Sequence, residues 1–125
     1  MKILVIGDSC KDIFIYGDVV RIAPEAPVPI IKTISKKENP GMASNVVANL
    51  EALGAEVDLI TNEEEISKVR YVDRRYNQMV LRVDKNDKCK RYSGVYEIVD
   101  YDALIISDYN KGFLSEDDIA AFAER

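Results

Sequence analysis

The chain has 125 residues, a length that suits one domain with a modest core. With 47% hydrophobic and 31% charged residues and no apolar run of about 18, it is neither a disordered segment nor one that spans a membrane as a helix. A net charge of -5 argues against a basic nucleic-acid binder, and the lack of any histidine excludes Ser-His-Asp and Cys-His catalysis, histidine metal ligation and the usual pH switch.

Lys2 to Ile6 is a short apolar run ending at Gly7-Asp8. It predicts a buried parallel strand that delivers a polar loop at its carboxyl end, where open α/β sheets bind ligands. As a signal peptide the run is too short, and Asp8 stands where a small cleavage-site residue belongs, so the cytoplasm is expected. Ile13 to Tyr16 and Val28 to Ser35 are rich in β-branched and aromatic residues and predict two strands. Ala23-Pro24-Glu25-Ala26-Pro27 between them marks a turn or a sheet edge.

From Gly41 to Leu53 the apolar residues Ala43, Val46, Val47, Leu50 and Leu53 recur at helical spacing, and Gly54 supplies a stop. Glu56 to Thr61 predicts the next strand, completing a crossover from the first. After the acidic connection Asn62-Glu63-Glu64-Glu65, Val69 to Val72 and Met79 to Val83 predict a hairpin. Asp84 to Arg91 reads as a loop, and Tyr92 to Val99 fits no single template. Ala103 to Ser107 is a second buried-strand run, and Ser115 with Asp118 forms an N-cap box for a last helix. Cys10 and Cys89 lack metal-type spacing and are expected as free thiols.

Four clusters could carry chemistry. A carboxylate in Gly7-Asp8-Ser9-Cys10-Lys11-Asp12 can accept hydrogen bonds from two vicinal hydroxyls at once, although an Asp there also serves as a turn former or cap. Asn39-Pro40-Gly41-Met42-Ala43-Ser44-Asn45 opens a helix with bare N–H groups and an amide side chain, or simply starts it. Ser107-Asp108-Tyr109-Asn110-Lys111-Gly112 could set a carboxylate and an ammonium beside a phosphorylated ligand, or be a solvated loop. Lys68, Arg70, Arg74, Arg75 and Arg82 on the hairpin could hold a sugar phosphate, or guard a sheet edge.

In this order the clusters are far more specific than singly. Ile3-Leu4-Val5-Ile6-Gly7-Asp8 with Asp12 and Tyr16-Gly17, the segment from Arg21 to Pro29, Pro40-Gly41-Met42-Ala43-Ser44-Asn45-Val46, Asn77 to Asp84, and Ser107 to Gly112 together resemble the heptose-7-phosphate kinases of the ribokinase family. The resemblance implies an α/β fold: a ribokinase-like parallel sheet with flanking helices plus a small β lid, here as one shortened domain over residues 1–125 without the C-terminal half. Lid strands are expected within about 13–35 and 68–83. Asp12 would bind sugar hydroxyls, the Gly41-Met42 turn would lie against the sugar, and Asn45 would hydrogen-bond it. Arg82 would approach the phosphate and Lys111 would lie near the rim.

Two departures from the family pattern bear on activity. The family has further elements between Thr61 and Lys68, where this chain has a few acidic residues. The Gly-rich turn followed by the catalytic Asp has no counterpart here, since Gly7-Asp8 and Gly17-Asp18 lack the second glycine. The expectation is therefore a sugar-phosphate-binding module that needs no cofactor alone and meets Mg-ATP only if a complementary kinase half completes it. A homodimer through the lid strands is expected, with neither nucleic acid nor membrane as partner. A minimal or split kinase assembled across a dimer, and a non-catalytic interaction protein, are the competing readings.

Overall fold

The computed structural model describes residues 1–95 and 98–124. At its centre lies β1 (Lys2–Gly7), in which Ile3, Leu4, Val5 and Ile6 are all buried. Such a run needs cover on both faces, and it pairs in parallel with β4 (Glu56–Ile60) on one side and β7 (Ala103–Ser107) on the other. The two expected apolar strands and the crossover strand are thus neighbours in one three-stranded sheet, but β7 lies at its edge and is half-buried rather than buried, with Ala103 exposed.

Helix α1 (Ala43–Ala52) covers one face, packing Ala43, Val46, Val47 and Leu50 on Ile3 and Val5. The other face, around Ile6, is covered by Phe113 and Leu114 and by Ile119 and Phe122 of α2 (Glu116–Ala123). Gly54, at φ 86°, ends α1 in the left-handed conformation that glycine adopts without a Cβ penalty.

The second sheet has the order β3-β2-β5-β6, built from β2 (Ser9–Ile22), β3 (Pro29–Met42), β5 (Ser67–Asp73) and β6 (Gln78–Lys85). The expected hairpin is β5–β6, closed by residues 74–77 with Asn77 at φ 50°. β2 and β3 run to 14 residues each, well beyond the expected 13–16 and 28–35. Their pairing extends from Ser9–Met42 to Ile22–Pro29 and recruits Lys36-Lys37-Glu38-Asn39, which have poor strand propensity of their own. β3 is an edge strand, so Pro40 is tolerated in it and its lysines guard the open side. Because β3 continues through Met42, α1 begins at Ala43 rather than at Gly41.

The short link from β4 to β5 is tightly held. The Asn62 side chain accepts from the Ser9 amide at 2.7 Å and donates to the carbonyls of Ser9 and Glu64 at 3.2 and 2.6 Å, while Ile66 is 2% exposed. Of the loop expected from Asp84 to Arg91, Asp84 and Lys85 belong to β6, where they pair with Lys68 and Ser67, and residues 86–91 are loop; the unassigned stretch Tyr92–Val99 has no helix or strand among its described residues, 96 and 97 lying outside them. Cys10 and Cys89 are free thiols.

The cap box of α2 is present: Ser115 Oγ accepts from the Asp118 amide, and Asp118 accepts from the Ser115 amide at 2.8 Å. Arg91 first, and then Ser115, hold the Asp118 carboxyl well below the usual carboxylate range. A depressed folded pKa lends stability that is complete above the unfolded value of about 3.9 and is lost as pH falls through the folded value. Asp118→Asn is therefore expected to cost about 1 kcal/mol at neutral pH, the worth of a cap. Urea melts of both proteins test this, and the gap between them narrows as the pH is taken down below 4.

Candidate functional site

Alternation along β2 puts Asp12 and Phe14 on one face of the second sheet, and register lines up their neighbours. Asp12 lies opposite Asn39 of β3 and Lys68 of β5, and Phe14 lies opposite Arg70. These side chains line one wall of an open-sided cavity of about 540 Å³, with Asn45 and Ala48 of α1, the Pro40-Gly41-Met42 turn and Tyr109 forming the rest.

The charges in this cavity are unequally engaged. Arg70 Nη1 donates to Asp12 Oδ1 at 2.7 Å, and its guanidinium lies over the Phe14 ring at 5.2 Å. The Lys68 ammonium makes no ion pair or hydrogen bond among the described residues. The cavity thus holds a carboxylate–guanidinium pair about a quarter exposed and one unengaged cation beside it. Cys10, outside the lining, is buried against this corner, and burial first, then Asp12, raises the pKa of its thiol.

The turn between β3 and α1 is fitted closely to Asp12. A Cβ at Gly41 would stand 2.6 Å from both Asp12 Oδ2 and Cys10 Sγ. Met42 takes φ 59°, a left-handed conformation costing about 1–3 kcal/mol in a residue with a Cβ, and so turns the chain from strand into helix. α1 has no side-chain cap and no acidic residue in its first turn, so the positive end of its dipole is open to oxygen ligands.

Four of the six residues singled out from sequence, Asp12, Gly41, Met42 and Asn45, line this cavity. The other two are engaged elsewhere: Arg82 faces Arg70 across the hairpin and binds Asp84 at 2.8 Å, and Lys111 binds Asp87 at 2.6 Å. Lys68 and Arg70, which sequence offered only within a basic set, join the lining, as do Asn39 and Tyr109, which lay within the second and third clusters without a role of their own, and Phe14, which it did not offer. Alternation from Asp12 could have found Phe14; the place of Asn39 opposite Asp12 requires the β2–β3 register.

Asp8, the other carboxylate of the first cluster, is fully buried and outside the cavity lining. Its Oδ1 and Oδ2 accept from the Tyr109 and Lys111 amides at 2.8 Å each, and its carbonyl accepts from the Ala43 amide at 3.0 Å.

No family model matches the chain. Over 150 positions it is 35% identical to the bifunctional protein HldE of Koribacter versatilis, covering 90% of this chain and 30% of that protein. This chain is a relative of HldE. For HldE of Campylobacter jejuni subsp. jejuni the identity is 34% over 142 residues, covering 91% and 31%. The resemblance to ribokinase-family carbohydrate kinases of the heptose-7-phosphate type holds. The chain spans about 30% of the length of the HldE proteins it matches. The match to the Koribacter HldE runs over 150 positions against 125 residues in this whole chain, so that HldE carries segments this chain lacks.

Among solved structures, a carbohydrate kinase from Agrobacterium tumefaciens superposes with a TM-score of 0.42 at 19% identity, covering 69% of this chain and 36% of that one. A ribokinase from Cryptococcus neoformans var. grubii in complex with ADP gives 0.46 at 15% identity, covering 84% and 40%.

Proposed function

We propose that this chain is a sugar-phosphate-binding module of carbohydrate-kinase descent that does not transfer a phosphoryl group by itself. The observation that carries the reading is the single cavity in which Asp12, Asn39 and Asn45 stand beside the unengaged Lys68. The first three offer hydroxyl-binding oxygens and amides, and Lys68 with the open end of α1 offers positive charge to a phosphate. The fit with a heptose 7-phosphate rests on the kinship with HldE.

A nucleotide fits less well. Of the two described helix starts, α1's serves the sugar cavity, and α2's is closed by its own cap and carries Glu116, Asp117 and Asp118, which would repel a polyphosphate. Mg-ATP therefore belongs to a complementary kinase half. The second sheet acts as a lid over the sugar and pairs with a second copy through its open edges, where Val20, Ile22, Ile34, Met79 and Leu81 are exposed. No helix among the described residues is long and apolar enough to cross a membrane; the proposed setting, the cytoplasm, rests on the kinship with HldE.

Calorimetric titration with heptose 7-phosphate, the same heptose without phosphate, and Mg-ATP tests the reading. The expected result is binding of the phosphorylated sugar and no binding of Mg-ATP. Lys68→Met is expected to weaken heptose 7-phosphate about tenfold, or about 1.4 kcal/mol, and to leave the unphosphorylated sugar unaffected. Nucleotide binding would instead favour a minimal kinase, and no binding of any of the three would leave an interaction protein.

A further inference from the structure

We infer that Asp8, which does not itself line the cavity, is a positioning residue that fixes two of the cavity's walls. The inference rests on the sugar-phosphate reading for the ligand and on the geometry alone for the tether.

Asp8 is 0% exposed, and among the described residues its carboxylate makes no ion pair and accepts from the backbone amides of Tyr109 and Lys111. Burying a carboxylate this way is costly, and closing the corner between β1 and β2 needs no charge. What the carboxylate supplies is two acceptors on one rigid group. They reach the amides of residues 109 and 111 together, and the chain between and after them turns through Asn110 at φ 57° and Gly112 at φ 98°. The turn so pinned carries Tyr109, the one lining residue contributed by the segment after β7 and 53% exposed. Its ring offers a flat apolar face with a hydroxyl at the tip, suited to the C–H face of a sugar.

The Asp8 carbonyl meanwhile accepts from the Ala43 amide, at the foot of the Met42-to-Asn45 turn. One residue thus holds the Tyr109 wall by its side chain and the α1 wall by its main chain, and the spacing between the walls follows from it. Asparagine in its place offers one acceptor and one donor, so one of the two amides is left facing an N–H.

The test pairs hydrogen exchange with heptose 7-phosphate titration on Asp8→Asn, Tyr109→Ala and the double variant. Asp8→Asn is expected to speed exchange at Tyr109 or Lys111 about tenfold or more while the amides of β1 and β4 stay protected. Each single variant is expected to lose affinity about tenfold, and the double variant to lose little more than Tyr109→Ala, because Asp8 acts through Tyr109. Losses that add in full overturn the inference, as does unchanged exchange in Asp8→Asn. If Asp8→Asn does not fold, Tyr109→Ala decides, since unaltered affinity there leaves the Asp8 side chain no wall to position and overturns the inference. Failure of the unmodified chain to bind heptose 7-phosphate sinks the sugar-phosphate reading; the tether is then judged by exchange alone.

Discussion

Replacing Gly7 by alanine is expected to lower the melting temperature of the protein by roughly 15 °C or more. Gly7 is the last residue of β1 and pairs with Ser107 of β7, and a Cβ there would lie 1.9 Å from the Ser107 carbonyl oxygen. That neighbour is backbone inside a parallel ladder, so relief requires the two strands to part by more than an ångström rather than one side chain to swing aside. Parting them uncovers Ile6 and the cluster it forms with Phe113 and Leu114, which is the packing on one whole face of a three-stranded sheet. A loss of about 4 kcal/mol or more is expected, a large share of the stability of a small domain. Thermal melts followed by circular dichroism check this. A melting temperature within a few degrees of the unmodified protein would mean that the β1–β7 pairing is not needed for the fold.

The same contact explains what was legible in the sequence. Ile3 to Ile6 and Leu104 to Ile106 are apolar runs because β1 is buried at the centre of the first sheet and β7 lies half-buried beside it, and packing of that kind is written into local composition. The Ser115–Asp118 box is equally local. β2 and β3 are different: Lys36 to Asn39 become strand only because residues 12 to 15 of β2 are there to pair with them, a contact between positions more than 20 apart. Local propensity carries no record of such a partner, and so the helix start at Ala43 was displaced in the reading toward the Pro40-Gly41 pair.

The cavity divides in the same manner. Asp12, Gly41, Met42 and Asn45 sit in compact motifs that a reader can find one at a time. Lys68 is distinguished from Arg82 only by the sheet: both are basic residues on the hairpin, but register puts Lys68 beside Asp12 and leaves Arg82 two strands from it with Asp84 as partner. Asp8 reads as a candidate ligand-binding carboxylate by position and turns out to be buried, because its partners come from a loop about a hundred residues away.

Gly41→Ala is expected to have the largest effect on binding of any change that leaves the chain folded. The added methyl would lie 2.6 Å from Asp12 Oδ2 and from Cys10 Sγ, both ends of side chains rather than backbone. Asp12 is the one that yields with consequence, for its other oxygen is held by Arg70 at 2.7 Å, and moving the carboxylate either breaks that bond or drags the guanidinium off the Phe14 ring. The methyl also occupies the corner where the turn from β3 meets the cavity. Overpacking of this sort costs about 1–3 kcal/mol of stability, which a folded domain survives. Affinity for heptose 7-phosphate is expected to fall about a hundredfold, near 2.7 kcal/mol, since the hydroxyl acceptor is displaced and its site partly filled. Calorimetry on the variant, with circular dichroism to show that the fold is kept, measures both. Unchanged affinity in a folded Gly41→Ala protein would mean that the sugar does not sit against this turn, and with it the assignment of Asp12 as the hydroxyl-binding carboxylate would fall.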